Sequence, residues 1–265
     1  MQTLLQIRDL TIGYADYTVQ TGLNLTASKG EMICMLGKNG CGKSTLLRTI
    51  AGLQPALGGK ISLKTGISLK RGEADLHDLN SQERAKMLSL LLTERLSLDN
   101  TSVHDVVAMG RYPYTSFLGG LSAEDEKLIL TALTQVGMEH KQHRFFNNLS
   151  DGEKQRVLIA KALAQQTPLI LLDEPTAHLD LPNRIRIMLL LRQLVHTEGK
   201  CVIISTHELD LALQTADKIW LMTPQQGIET GVPNELISSG AFQNAFQDDN
   251  FSFLKDNGTL RIKLN

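Results

Sequence analysis

Eight consecutive residues, Gly37-Lys38-Asn39-Gly40-Cys41-Gly42-Lys43-Ser44, join three glycines to a terminal lysine and hydroxyl. Glycines permit a backbone turn that aims N–H groups at an anion, and a following helix N-terminus favours negative charge. A lysine placed there reaches the β and γ oxygens of a polyphosphate, and the next hydroxyl can ligate Mg²⁺. Gly37, Asn39, Gly40, Gly42, Lys43, Ser44 and the adjoining Thr45 are the expected phosphate-binding residues. Ser44 is also a metal ligand, and Lys43 takes part in the chemistry. Cys41 fills a variable slot and is assigned no chemistry.

A second constellation ends the apolar run Leu169-Ile170-Leu171-Leu172, where Asp173 and Glu174 emerge together. A carboxylate at such a strand end can hold the Mg²⁺ water shell, which assigns Asp173 to the metal. Glu174, one residue on, is placed to polarise an attacking water as general base. His207, after the run Cys201 to Thr206, could bond a γ-phosphate or orient that water. A lone strand-end histidine is more often structural, so His207 depends on its company.

The elements that would position these groups follow from local patterning. Met32–Leu36, Leu169–Leu172 and Cys201–Ile204 are apolar on both faces, as parallel strands covered by helices on two sides must be. Each leads through a polar or glycine-rich turn into helical periodicity, at Ser44 to Ile50, Leu181 to Val195 and Leu209 to Ala216. Leu5–Ile12 and Leu260–Leu264 alternate instead, as half-buried strands at a sheet margin. Between Asn80 and Leu149 the strand-type runs give way to short helices with caps expected at Ser102/Asp105 and Ser122/Asp125. The resulting fold class is α/β, a phosphate-loop NTPase core with a mainly parallel sheet, an N-terminal antiparallel β portion and a helical insertion. Boundaries are expected at 1–79 for the first part of the core, 80–149 for the helical subdomain, 150–230 for the second part of the core and 231–265 for a peripheral segment.

Composition narrows the class. The 265 residues carry 27 Lys and Arg against 28 Asp and Glu, a net charge of −1, which is not the basic field that holds a protein on nucleic acid. Three separated cysteines, Cys34, Cys41 and Cys201, lack zinc or disulfide spacing and fit a reducing compartment. No leader pattern and no membrane-length apolar run is visible.

Leu149-Ser150-Asp151-Gly152-Glu153-Lys154-Gln155-Arg156 reads locally as a capping box from Ser150 to Glu153 opening a helix. The segment also resembles the signature motif of ATP-binding cassette (ABC) ATPases, with Asp151 where the usual pattern has a second glycine. The resemblance extends in order along the chain. Tyr14 falls at the aromatic position that stacks on adenine, with Tyr17 close enough to compete. Ala177-His178-Leu179-Asp180 matches the D-loop and His207 the switch histidine. It implies that ATP is the nucleotide and that two ATP are sandwiched between two head-to-tail copies. Ser150, Gly152 and Asp180 of one copy would then face the nucleotide of the other.

Gly110-Arg111-Tyr112-Pro113-Tyr114, Leu121–Asp125 and Pro175–Leu181 look like the subfamily serving importers of ferric siderophores, haem and cobalamin. Arg111–Tyr114 is either an exposed helix-to-loop junction or a surface docked on a permease. The resemblance implies an ATPase peripheral to the cytoplasmic face of the inner membrane. It would work on separate integral membrane permease subunits, with a substrate-binding protein as an indirect partner and no nucleic acid. The rival is a soluble cassette ATPase acting on DNA or the ribosome. Against it stand a single phosphate loop and the absence of sustained heptads between Ser44 and Leu149. The family's metal-contacting glutamine, which follows the strand-like Met87–Leu92, is missing; Thr93 occupies that slot as the expected metal contact, with Glu94 beside it.

Overall fold

A strand with one apolar face and a strand apolar on both faces need different surroundings, and the chain builds a sheet for each. The computed structural model describes residues 2–64, 73–76, 78–92, 98–115, 120–224, 227–246, 251–253 and 260–262. The chain begins with β1 (Thr3–Tyr14), β2 (Tyr17–Ser28), β3 (Met32–Gly37), α1 (Lys43–Ile50), β4 (Gly58–Lys64) and β5 (Glu73–Asp75). α2 (Ser81–Met87), β6 (Leu88–Leu91), α3 (Val103–Ala108), α4 (Ala123–Gln135) and α5 (Asp151–Ala164) follow. Then come β7 (Leu169–Asp173), α6 (Leu181–Glu198), β8 (Cys201–Ser205), α7 (Leu209–Thr215), β9 (Lys218–Thr223) and β10 (Gly227–Gly231). The last elements are α8 (Pro233–Ser239), α9 (Ala241–Ala245), β11 (Phe251–Phe253) and β12 (Leu260–Ile262).

The larger sheet has the order β10-β9-β3-β8-β7-β6 and is parallel except for the β10–β9 pair. Every residue of β3, β7 and β8 is buried. Their alternate side chains feed two cores. Cys34, Leu36, Leu172 and Ile204 pack with the helices α3 to α7, whereas Ile33, Met35, Leu171 and Ile203 pack with α1 and the antiparallel sheet β2-β1-β4-β5. This is the expected α/β architecture, and it brings the C-terminal ends of β3, β8 and β7 side by side.

Three local expectations require correction. β1 is an interior strand, paired with β2 on one side and β4 on the other, while β12 pairs with β11 in a separate two-stranded ladder. Alternation reports that one face is buried and carries no information on edge position. Within the stretch 80–149 assigned to the helical subdomain, the strand-like Met87–Leu92 contributes β6, which joins the large sheet parallel to β7. The tail beyond Gly231 is not merely peripheral, because Phe242 of α9 is fully buried in the helical-side core.

The insertion is held by capping and one buried ion pair. Ser102 with Asp105 and Ser122 with Asp125 form complete capping boxes at α3 and α4, as does Asn80 with Glu83 at α2. Arg111 is buried rather than exposed: its Nε donates to Asp125 Oδ1 at 2.8 Å and its Nη1 to the Ala164 carbonyl at 2.7 Å. Its guanidinium lies 4.0 Å from the Tyr114 ring centroid, and the Tyr114 hydroxyl donates to the Gln165 carbonyl. Arg111 therefore clamps α4 to the end of α5, and Tyr112, 63% exposed, is the residue of this motif most open to solvent.

The Ser122 hydroxyl and backbone, with the Arg111 guanidinium, hold the Asp125 carboxyl down to about 2 from its ordinary 3.8. A depressed carboxylate contributes stability that is complete above its unfolded value and disappears as pH falls through the folded one. Arg111→Met is expected to cost about 3–5 kcal/mol in urea unfolding at pH 7, because it strands a buried carboxylate. The deficit should shrink between pH 4 and pH 2; a cost independent of pH over that window would contradict the clamp.

Candidate active site

The phosphate loop turns because glycine occupies the positions where a side chain would be strained. Gly42 has φ +108°, and a Cβ there would lie 2.6 Å from Val19 Cγ1; Gly37 has φ +152°, with the Met222 carbonyl 2.5 Å from the corresponding point. Both conformations belong to glycine, and both sites lack room for anything larger. No side chain caps Gly42, so the first N–H groups of α1 remain available to an anion. Asn39 and Gly40 are exposed at the tip, while Lys43 and Thr45 are buried at the base. Lys43 Nζ donates to the Gly37 carbonyl at 2.8 Å and to the Lys38 carbonyl at 3.2 Å, so the ammonium sits folded under the loop. Burial pushes the Cys41 thiol up despite the Lys43 charge, which fits a packing role.

Asp173 and Glu174 stand across from this loop. Ser44 Oγ donates to Asp173 Oδ1 at 3.1 Å, bringing two oxygen ligands from α1 and β7 together. A hydroxyl and a carboxylate so close are a donor set suited to a hard cation such as Mg²⁺, which takes few protein oxygens and completes its shell with water and phosphate. Glu174 has φ +48°, an uncommon conformation for a residue with a Cβ. Its N–H is held by the Ser205 carbonyl at 3.0 Å and Ser205 Oγ at 3.1 Å. Its carboxylate pairs with His207 Nε2 at 2.6 Å. The structure thus joins Lys43, Ser44, Asp173, Glu174 and His207 in one group. Thr93 and Glu94 lie outside the described residues.

Two residues in this group escaped the sequence reading. The Ser205 hydroxyl donates to Asp173 Oδ1 while accepting from the Glu174 N–H, coupling the two carboxylate residues. Gln20, buried in β2, donates to the Cys41 carbonyl at 3.2 Å and the Thr223 carbonyl at 2.8 Å, and accepts from the Gly227 N–H. It fastens the loop to the β9–β10 hairpin. Ser205 closes an otherwise apolar run, which is a signal that could have been used; Gln20 sits in ordinary alternation and offers none.

A second group forms elsewhere on the same chain. Ser150 and Glu153 close a capping box at α5, and Lys141 pairs with Glu153. That ammonium, with help from Ser150, holds the Glu153 carboxyl below the usual range. Asp151 is exposed, and no ion pair reaches it among the described residues. A Cβ on Gly152 would stand 3.1 Å from the Asn183 amide, so α5 begins against the first turn of α6. Asp180 caps that turn by accepting from the Asn183 N–H at 3.0 Å, and His178 just before it has φ +64°. Ser150, Gly152 and Asp180 are therefore neighbours, but among the described residues no hydrogen bond or ion pair joins them to the phosphate loop. Tyr14 and Tyr17 face each other across the β1–β2 hairpin, 55% and 63% exposed, and the structure does not separate them.

A family model described as ABC transporter matches residues 20–177. An ABC transporter ATP-binding protein of Methanocaldococcus jannaschii is 36% identical over 263 residues, covering 99% of this chain and 88% of that protein. The iron(3+)-hydroxamate import ATP-binding protein of Bacillus subtilis is 34% identical over 245 residues, covering 92% of this chain and 88% of its own length. A solved metal-chelate type ABC transporter in an inward-facing conformation superposes with a TM-score of 0.80 at 26% identity, covering 99% of this chain and 97% of that one.

Ser205→Ala removes the hydroxyl that links Asp173 to the Glu174 backbone. ATP turnover should fall roughly tenfold, while the melting midpoint moves only as far as one hydrogen bond of about 1 kcal/mol requires. Unchanged turnover would show that Ser205 does not position the pair.

Proposed function

The chain belongs to the ABC transporter family of ATPases, and on that premise we propose that it is the ATP-hydrolysing subunit of an importer. Two identical copies close over two ATP and drive a separate integral membrane permease. The observation that carries this reading is the division of the site into two groups. The phosphate loop with Asp173, Glu174 and His207 forms one, and Ser150, Gly152 and Asp180 form the other, with no bond between them among the described residues. Head-to-tail pairing unites the first group of one copy with the second group of its partner.

Lys43 leaves the loop carbonyls to meet the β and γ oxygens, offsetting charge repulsion that backbone dipoles alone leave uncovered. Ser44 and Asp173 would hold Mg²⁺, and Tyr14 would stack on the adenine. The metal, when bound, spreads the charge of the β and γ oxygens. Glu174 accepts the proton of the attacking water, and His207, now tied to Glu174, turns its ring towards the γ-phosphate. The start of α5 offers a helix N-terminus to the partner's γ-phosphate, with Lys141 offsetting the charge of Glu153.

The cargo we assign is an iron complex, such as a siderophore or haem, with cobalamin as a chemical relative. The iron(3+)-hydroxamate import relative and the metal-chelate transporter support this reading, as does the Gly110–Tyr114 motif. No helix among the described residues is long and apolar enough to cross a membrane. The ATPase would sit on the cytoplasmic face of that membrane, served indirectly by a substrate-binding protein.

Lys43→Ala should abolish ATP binding in a fluorescent-nucleotide titration. Glu174→Gln should keep ATP binding, lose roughly 10²–10⁴-fold in hydrolysis, and elute as a stable dimer in gel filtration with ATP and Mg²⁺. Only monomer under those conditions would overturn the paired arrangement.

A further inference from the structure

Gln20 is 3% exposed in β2, and its side-chain amide is engaged on both ends. Nε2 donates to the Cys41 carbonyl at 3.2 Å and to the Thr223 carbonyl at 2.8 Å, while Oε1 accepts from the Gly227 N–H at 3.2 Å. These partners fix the orientation of the amide, since the carbonyls need a donor and the N–H needs an acceptor. An apolar side chain, such as Leu23 or Leu25 of the same strand, would fill a buried position without the cost of desolvating an amide. The Cys41 carbonyl belongs to the same planar, trans peptide as the Gly42 N–H. The two point in opposite directions, so a carbonyl tied to Gln20 aims the Gly42 N–H away from β2. That N–H heads α1, where no side chain caps Gly42 and no hydrogen bond takes it among the described residues. Gly42 at φ +108° has the freedom to turn this peptide over, so a restraint from outside the loop decides its direction.

We propose that Gln20 is a positioning residue for the nucleotide. Its bond to the Cys41 carbonyl holds the Cys41–Gly42 peptide with the N–H presented to the phosphates, and its bonds to Thr223 and Gly227 anchor that hold on the β9–β10 hairpin. The inference rests on the phosphate loop holding the nucleotide, as proposed above, and adds the group that sets one of its donors before the ligand arrives. A donor oriented in advance spares binding the cost of ordering a glycine peptide. The hydrolytic groups are held separately, Asp173 by Ser44 and Ser205, and Glu174 by Ser205 and His207. Loss of the Gln20 amide therefore weakens nucleotide binding without slowing turnover at saturation.

The test uses the full-length chain with isotope-labelled glycine, Mg·ADP as the probe, and Gln20→Met, which fills similar space and carries no donor. In the wild type, saturating Mg·ADP should move the Gly42 amide proton downfield, while the Gly227 amide, bonded to Gln20 with or without nucleotide, keeps its position. In Gln20→Met the Kd for Mg·ADP and the KM for ATP should each rise about tenfold, the scale of one charge-assisted contact, with kcat within about twofold of wild type. The downfield shift of Gly42 at saturation should be reduced in the same variant. Gln20→Leu is the second variant and should behave alike. A Gly42 amide that does not move in the wild type overturns the proposal. Wild-type KM with a wild-type Gly42 shift in either folded variant overturns it as well, as does a fall in kcat at constant KM. Lys43→Ala tests the phosphate loop as the nucleotide site by itself. If that variant loses nucleotide while Gln20→Met binds it normally, the role of Gln20 alone fails.

Discussion

The chemistry of this protein depends on the register of one parallel ladder, in which Met35 stands opposite Ser205 and Ser205 opposite Asp173. A slip of one residue would send each side chain to the other face of the sheet, taking Asp173 away from Ser44 and Ser205 away from Glu174. Burial on both faces prevents the slip, since alternate residues of β3, β7 and β8 are committed to two different cores. The same burial removes water from the strands and leaves their ends as the natural place for polar groups. The backbone N–H of Glu174 is satisfied twice over by Ser205, which keeps a residue with φ +48° in place.

The phosphate loop is the complementary half of that arrangement. Its glycines allow the turn, but the turn is maintained from outside, by Gln20 bonding the Cys41 carbonyl and by Lys43 bonding the Gly37 and Lys38 carbonyls. A lysine bonded to its own loop is a cation stored until a stronger anion displaces the carbonyls. The helix starts of α5 and α6 are organised by the same economy of orphan N–H groups. Ser150 and Asp180 each satisfy an N–H in the first turn, and the Gly152 contact with Asn183 sets the two starts against each other.

The edge strand and the helical insertion are tied to this ladder by pairing and by buried hydrogen bonds. β6 is the edge strand of the large sheet and pairs with β7, so it lies beside the strand that ends in Asp173. Within the insertion, Arg111 bonds both Asp125 of α4 and the Ala164 carbonyl at the end of α5, tying the two helices together. The buried guanidinium removes Arg111 from any surface role and leaves Tyr112 as the most exposed residue of the motif.

Much of this was legible in the chain, for a local reason. Gly37–Ser44, the Asp173–Glu174 pair and the capping boxes at Ser102, Ser122 and Ser150 are interactions among residues within a few positions of one another, so their types and spacing state them directly. Runs apolar on both faces likewise announce strands buried on both sides, and the α/β class follows. What the tertiary structure alone decided involves partners far apart in sequence. Gln20 meets Thr223, Ser205 meets Asp173, Arg111 meets Ala164, and Leu91 pairs with Leu172. A buried glutamine and an exposed one leave the same mark in an alternating strand, as do an interior and an edge position for β1. A polar side chain reveals burial only through the partner that compensates its lost water, and that partner is chosen by the packing of the whole chain.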